Sequence, residues 1–292
     1  MRGLDTDVDE RATIPGSRRN PGTADGLYAF FDIDGTLVHR DKEQPNGVPS
    51  PAVATALDAF VAAGGSCVLC TGRPRGLVVP EVLALPFSGC VTMDGAHVEM
   101  GGRVVRDVAI PPSLVWEALR EMEALDISAI FESVELNVSL DRGENWFPSV
   151  PSPTTAEGIR ALKPDLRFSK AVFHNHELQK FKESSFLRES FVLYHLDNGM
   201  IEVTVEGIDK GTGLLAYTAA LPQPPVRTYA FGDSENDMPM LSAADVAVAM
   251  GNALPHVIEL ARSRGGFVTD PVLEDGVATF INKQILGLDS AR

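Results

Sequence analysis

The chain has 292 residues, 44% hydrophobic and 22% charged, which is globular composition with length for one large domain or two modest ones. Asp and Glu number 40 against 25 Lys and Arg, so the formal net charge is −15. Such a surface repels nucleic acid and anionic lipid, and no apolar run approaches the roughly 18 residues of a membrane span.

Residues 1–26 mix charge, Pro and Gly without an apolar signal core, and read as a flexible tail. Tyr28–Leu37 is the first ordered signal, a short apolar run that turns acidic at Asp32-Ile33-Asp34 and reaches Gly35. Ser50-Pro51 opens a helix whose apolar residues Val53, Ala56, Leu57 and Phe60 recur at three and four, ended by Gly64-Gly65. A second strand, Ser66–Cys70, breaks at Thr71-Gly72-Arg73-Pro74. Cys67 and Cys70 lie inside that strand, so their C-x-x-C spacing reads as buried core rather than as a redox or zinc motif. Together with the odd total of three cysteines, this suggests a reducing, cytoplasmic setting.

A third strand near Gly89–Met93 runs into Asp94-Gly95, and Val98–Met100 with Val104–Val108 reads as a hairpin. From Pro111 the pattern changes to a helix marked by Leu114, Val115, Ala118, Leu119, Met122 and Leu125, then the alternating stretch Glu135–Leu140. These lack βαβ punctuation and predict an inserted α+β unit. Met200–Val205 is expected to resume the β/α core, followed by Asp209-Lys210-Gly211 opening a helix. Val226–Phe231 ends at Gly232-Asp233, and Val246–Ala249 is the next strand. The expected fold is α/β, a doubly wound parallel-sheet core (27–109 and 199–292) with an α+β cap over 110–198.

Three strands thus end in small and polar residues: Asp32 to Thr36, Thr71 to Arg73, and Asp233 to Asp237. In an open parallel sheet ligands bind beyond the carboxyl ends of the strands. Asp32, Asp34, Asp233 and Asp237 would crowd there and would take up protons without a cation among them. A hard divalent ion, Mg²⁺, answers that need and would draw in a phosphate that the bulk charge repels. Asp32 and Asp34, two apart on an extended segment, share one face, so one can attack phosphorus while the other donates a proton. Thr71 offers a hydroxyl, Gly72 a close backbone N–H, and Lys210 a point charge for the transferring group.

Asp32-Ile-Asp34-Gly-Thr36-Leu37 resembles the first signature of the haloacid dehalogenase superfamily. Thr71-Gly-Arg73 is similar to its second, Lys210 in Asp-Lys-Gly-Thr-Gly to its third, and Gly232-Asp233-Ser-Glu-Asn-Asp237 to its fourth. The insert between the second and third resembles the Cof-like branch, as do Asp94-Gly95-Ala96, Met250-Gly-Asn252-Ala253 and Glu274-Asp275-Gly276-Val277-Ala278. The resemblance implies a Mg²⁺-dependent phosphatase of small phosphorylated metabolites, notably sugar or polyol phosphates, with a phosphorylated flavin precursor also open. It makes Asp32 the nucleophile, Asp34 the general acid and base, and Thr71, Gly72 and Lys210 the phosphate holders. Metal binding would fall to Asp32, Asp34, Asp233 and Asp237, and Asn236 and Asn252 match lesser family positions, while Arg73 is read either as a substrate contact or as a structural cap before Pro74. Two positions depart from the branch: Asp94 stands where Asn is usual, and Ile258-Glu259 where Val-Lys is common. Phosphotransfer or sugar-phosphate mutase chemistry shares this core, and a non-catalytic phospholigand-binding protein is a third reading.

Other features take plainer readings. His174 and His176 lack a partner set for zinc and are expected at the surface or facing substrate. Glu132 and Glu135 are expected on solvated faces, Trp116 and Trp146 in packing, and Glu274-Asp275 in a turn that caps a helix.

Overall fold

The computed structural model of the chain describes residues 23–39, 47–143, 149–196 and 199–288. Five strands precede the insert: β1 (Leu27–Phe31), β2 (Ser66–Cys70), β3 (Phe87–Thr92), β4 (His97–Met100) and β5 (Arg103–Asp107). Next come β6 (Ala129–Glu132), β7 (Val138–Leu140), β8 (Lys170–His174), β9 (Val192–His195) and β10 (Met200–Thr204). The last three are β11 (Arg227–Gly232), β12 (Val246–Ala249) and β13 (Phe267–Val268). The larger sheet runs β13-β12-β11-β1-β2-β3-β4-β5, parallel from β13 to β3 with an antiparallel hairpin at the β5 edge. Winding goes outward through β2 and β3, then restarts at β11 on the other side of β1. The direction therefore switches between β1 and β11, and a crevice opens at their carboxyl ends.

Strand β1 is buried on both faces, as its unbroken apolar run requires. Phe31 and Phe231 are register partners on β1 and β11, their rings stacked at 4.8 Å, with the Phe280 edge on Phe231 at 5.3 Å. Helix Pro51–Ala62 begins as its sequence predicts: Ser50 Oγ accepts from Val53 N–H, proline takes the first turn, and the expected four residues face the core. Cys67, Cys70 and Cys90 are free and buried, and burial pushes the Cys67 thiol up to about 12.

The second sheet, β7-β6-β8-β10-β9, is antiparallel throughout. Here the structure corrects the sequence reading, because Met200–Thr204 belongs to this cap sheet and not to the core. One face of β10 packs on cap helices and the other turns to the catalytic core, so its side chains are buried on both sides and the run looks like a core strand. The core resumes only after the crossing at 205–209. Glu135–Leu140 is strand only at Val138–Leu140, since Ser133 Oγ accepts from Leu136 N–H and holds the preceding residues in a turn. Residues 1–22 of the expected tail and Trp146 lie outside the described residues. Residues 23–26 join the core: Ala24 N–H donates to Ala63 O at 2.6 Å, and Gly26 O accepts from Val226 N–H at 2.8 Å.

Helix Lys210–Ala219 carries a capping box, in which Asp209 accepts from Thr212 N–H at 2.7 Å and Thr212 Oγ1 accepts from Asp209 N–H at 3.2 Å. Its flank touches the turn after β3, where a Cβ on Gly213 would sit 2.4 Å from Val91 Cγ1 and 2.7 Å from Gly95 Cα. That backbone contact sets how deeply the helix start enters the crevice. Gly213→Ala should cost about 1–3 kcal/mol in urea-induced unfolding, because the Val91 side chain would have to shift and the Gly95 Cα cannot yield without moving backbone.

Candidate active site

Strand β1 delivers Asp32 and β11 delivers Asp233 at the switch point, and the buried turn after β11 adds Asn236 and Asp237. Lys210 enters from its helix start with only 1% of its side chain exposed. Its ammonium donates to Asp32 Oδ1 at 2.7 Å, Asp237 Oδ1 at 2.6 Å and Asn236 Oδ1 at 3.5 Å. One oxygen from each of Asp32, Asp233 and Asp237 falls within a 4.8 Å spread. Burial and the Asp237 charge push Asp32 up, while Lys210 pulls it down, and the balance leaves it at about 8. Burial favours a neutral Lys210, but Asp237 and Asp32 override it and hold the ammonium charged. The cluster therefore has three carboxylates to one cation, all hard oxygen donors, which suits Mg²⁺. The second oxygen of Asp237 accepts from the N–H groups of Asp233 and Ser234 at 2.9 and 3.0 Å, so both of its oxygens already hold protein donors.

The other expected residues are held by partners of their own. Thr71 is buried at the end of β2, and its Oγ1 accepts from Arg73 N–H at 3.1 Å. The guanidinium of Arg73 forks onto Asp34, with Nε to Oδ2 at 2.8 Å and a second nitrogen to Oδ1 at 2.6 Å. Asn252 stands apart, with Nδ2 donating to Gly35 O at 2.9 Å and Oδ1 accepting from Val272 N–H at 2.8 Å. It braces the loop after β1. Asp275 occupies the N-cap position of helix Gly276–Phe280, but its carboxylate accepts from Ser50 Oγ rather than from that helix.

Lys170, Glu202 and Glu132 escaped the sequence reading as site residues, and they meet Asn236, which it had named. Lys170 of β8 donates to Asp94 Oδ2 at 3.0 Å and also to Glu202 of β10. Glu132, expected to be solvated, is buried, with Oε2 3.5 Å from Lys170 Nζ. Asn236 Nδ2 donates to both Asp94 Oδ1 and Glu202 Oε2, at 3.2 and 2.9 Å. The available signal was a lone charge inside each of two apolar strands, Lys170-Ala-Val-Phe and Ile201-Glu-Val, since buried charges must find partners. Glu135 is exposed as expected. His176 is exposed and its ring stacks on His174 at 5.4 Å, while Arg160 lies 4.9 Å over the Trp116 ring.

A sequence profile of haloacid dehalogenase-like hydrolases matches residues 29–281. The chain belongs to that family. With its cap between the second and third signatures, this hydrolase falls in the Cof-like branch. YkrA of Bacillus subtilis (strain 168), which bears the name of a phosphatase without a stated substrate, is 26% identical over 276 residues, covering 90% of this chain and 99% of its own. The 5-amino-6-(5-phospho-D-ribitylamino)uracil phosphatase YcsE of the same organism is 41% identical over 86 residues, covering 30% of this chain and 33% of its own. Among solved structures, the phosphatase BT1666 of Bacteroides thetaiotaomicron superposes with a TM-score of 0.74 at 25% identity, covering 92% of this chain and 98% of its own. The subclass IIB sugar phosphatase BT4131 gives 0.73 at 24%, covering 88% and 98%, and shows the shared fold. No helix among the described residues is long and apolar enough to cross a membrane.

The position of Asp32 has a consequence for stability. Burial raises its carboxyl from the ordinary 3.8 to about 8 in the absence of metal, so between those values the folded state holds the extra proton. Stability then falls as pH rises through that window. In excess chelator the thermal midpoint should drop from about pH 5 to about pH 8, and Asp32→Asn should flatten the drop.

Proposed function

We propose that this hydrolase is a Mg²⁺-dependent phosphatase that cleaves a small sugar or polyol phosphate through an aspartyl-phosphate on Asp32. The observation that carries the reading is the Asp32 carboxylate, held 2.7 Å from a buried lysine beside two further aspartates at the switch point of a parallel sheet. Pure binding of a phosphate gains nothing from crowding carboxylates at the anion's seat, whereas displacement at phosphorus needs one as nucleophile.

Asp32 and Asp233 would hold Mg²⁺ together with the main-chain carbonyl of Asp34, and Asp237 would stand just behind them, its oxygens occupied. Bound there, the ion would supply positive charge to the phosphate and keep Asp32 ionised at neutral pH. The chain's own residues do the rest. Lys210, Thr71 and the N–H of Gly72 hold the phosphate oxygens while an Asp32 oxygen attacks phosphorus. The bond from phosphorus to the leaving oxygen breaks, and Asp34 gives that oxygen a proton. Asp34, now ionised, takes a proton from water as the water oxygen attacks the aspartyl-phosphate, releasing inorganic phosphate and restoring Asp32. Arg73 must let go of Asp34 for these transfers. The cap would exclude bulk water and select the leaving group.

A polyol or sugar leaving group is supported by the names of YcsE and BT4131, one acting on a phosphorylated ribityl chain and the other on sugar phosphates. The test is phosphate release from a panel of phosphorylated metabolites. Release should require Mg²⁺, vanish in chelator and fall by at least about 10³-fold in Asp32→Asn. Phosphate that moves between molecules without release would overturn hydrolysis in favour of transfer.

A further inference from the structure

Strand period two sorts the cap sheet into unlike faces. Phe131, Ala171, Phe173, Ile201 and Val203 join the cap's apolar core. Glu132, Lys170 and Glu202 point the other way, toward the catalytic ends of β1, β2 and β11. Glu132 and Lys170 are directly paired across β6 and β8, and Glu202 pairs with Val172, one step along the same face of β8. The core answers with Asp94 and Asn236.

These groups meet where the phosphate is expected to sit. A Cβ on Gly72 would lie 2.7 Å from Glu202 Oε1 and 3.0 Å from Asp94 Oδ1. Asn236, which bonds both carboxylates, also receives the Lys210 ammonium. Two buried carboxylates, Asp94 and Glu202, therefore border Gly72, and a third, Glu132, has Oε2 3.5 Å from Lys170 Nζ. Lys170, 3% exposed, is the cation among them. Without that ammonium, any charge left on those acids would repel a phosphate dianion from Gly72. The Lys170 ammonium donates to Asp94 and Glu202.

We propose that Lys170 of the cap is a positioning residue for phosphate binding. By neutralising Asp94 and Glu202 it makes the Gly72–Lys210 seat receptive to an anion, so that the seat is complete only with the cap in place. The proposal rests on the phosphatase reading for the location of the phosphate. It explains why a core aspartate, Asp94, is tolerated beside an anion site: its countercharge arrives from the other domain.

The test compares wild type, Lys170→Met, Lys170→Arg, Asp94→Asn and Lys170→Met/Asp94→Asn, reading inorganic phosphate affinity by calorimetry with Mg²⁺ and kcat/KM on the best panel substrate. Lys170→Met should weaken phosphate binding and lower kcat/KM by at least about tenfold, with Lys170→Arg close to wild type. Adding Asp94→Asn to Lys170→Met should bring both values back to within about threefold of wild type, the signature of charge compensation. A loss that Asp94→Asn does not recover would mean that Lys170 touches the ligand or merely packs the cap, and would overturn the proposal, as would an unimpaired Lys170→Met. Should Lys170→Met fail to fold, Asp94→Asn alone decides: it must bind phosphate at least as tightly as wild type, and weaker binding refutes the idea. Wild type that neither binds phosphate nor releases it from any substrate would instead refute the phosphatase reading, and this proposal with it. Wild type active and Asp32-dependent, with Lys170→Met equal to it, would sink the proposal alone.

Discussion

A single buried ammonium organises the crevice. Lys210 holds Asp32 and Asp237 within hydrogen-bond reach of one point, and so draws the ends of β1 and β11 together at the place where the sheet changes direction. A cation taken that far from water is tolerable only with ideal partners, and two carboxylates and an amide supply them. The supports around it follow from that demand. The Asp209–Thr212 box fixes where the helix begins, and the contact of Gly213 with Gly95 lets it approach the turn after β3 at backbone distance. Because carboxylates still outnumber the lysine, the site keeps a standing need for more positive charge.

The cap meets this centre by a different logic from the one that builds each domain. Inside the core and inside the cap, aromatic and aliphatic side chains do the packing. Between them, Met93 and Ala96 of the turn after β3 join the cap's apolar cluster, but at Lys170, Asp94, Glu202 and Asn236 the contact is charged and hydrogen-bonded. That polar part of the seam can take up water without exposing apolar surface, which suits a surface that must admit a substrate. Arg73 and Asp34 make a smaller version of the same thing at the core's edge, two charged groups parked on each other beside the crevice.

Local signals in the chain were legible where local physics decides the outcome. Ser50-Pro51 and Gly64-Gly65 bracket a helix by capping alone, and Asp32, Asp233 and Lys210 follow abrupt ends of apolar strands or open a helix. The cap strand Met200–Thr204 was misplaced because burial on both faces looks the same whether the neighbours are parallel core strands or an antiparallel cap. Glu132, Lys170 and Glu202 were hidden for a related reason, since their partners lie on other strands far along the chain, and spacing says nothing about those. Asp237 could be placed in the acidic group by its motif, but only the fold shows both its oxygens in use.

Arg106, at the end of β5 where the chain leaves for the cap, donates to Gly95 O at 2.9 Å and to Gly207 O at 2.7 Å on the returning crossing. The two linkers are thereby stitched side by side into one ribbon instead of two separate hinges. Any movement of the cap that keeps both bonds must therefore carry the outgoing and returning segments together.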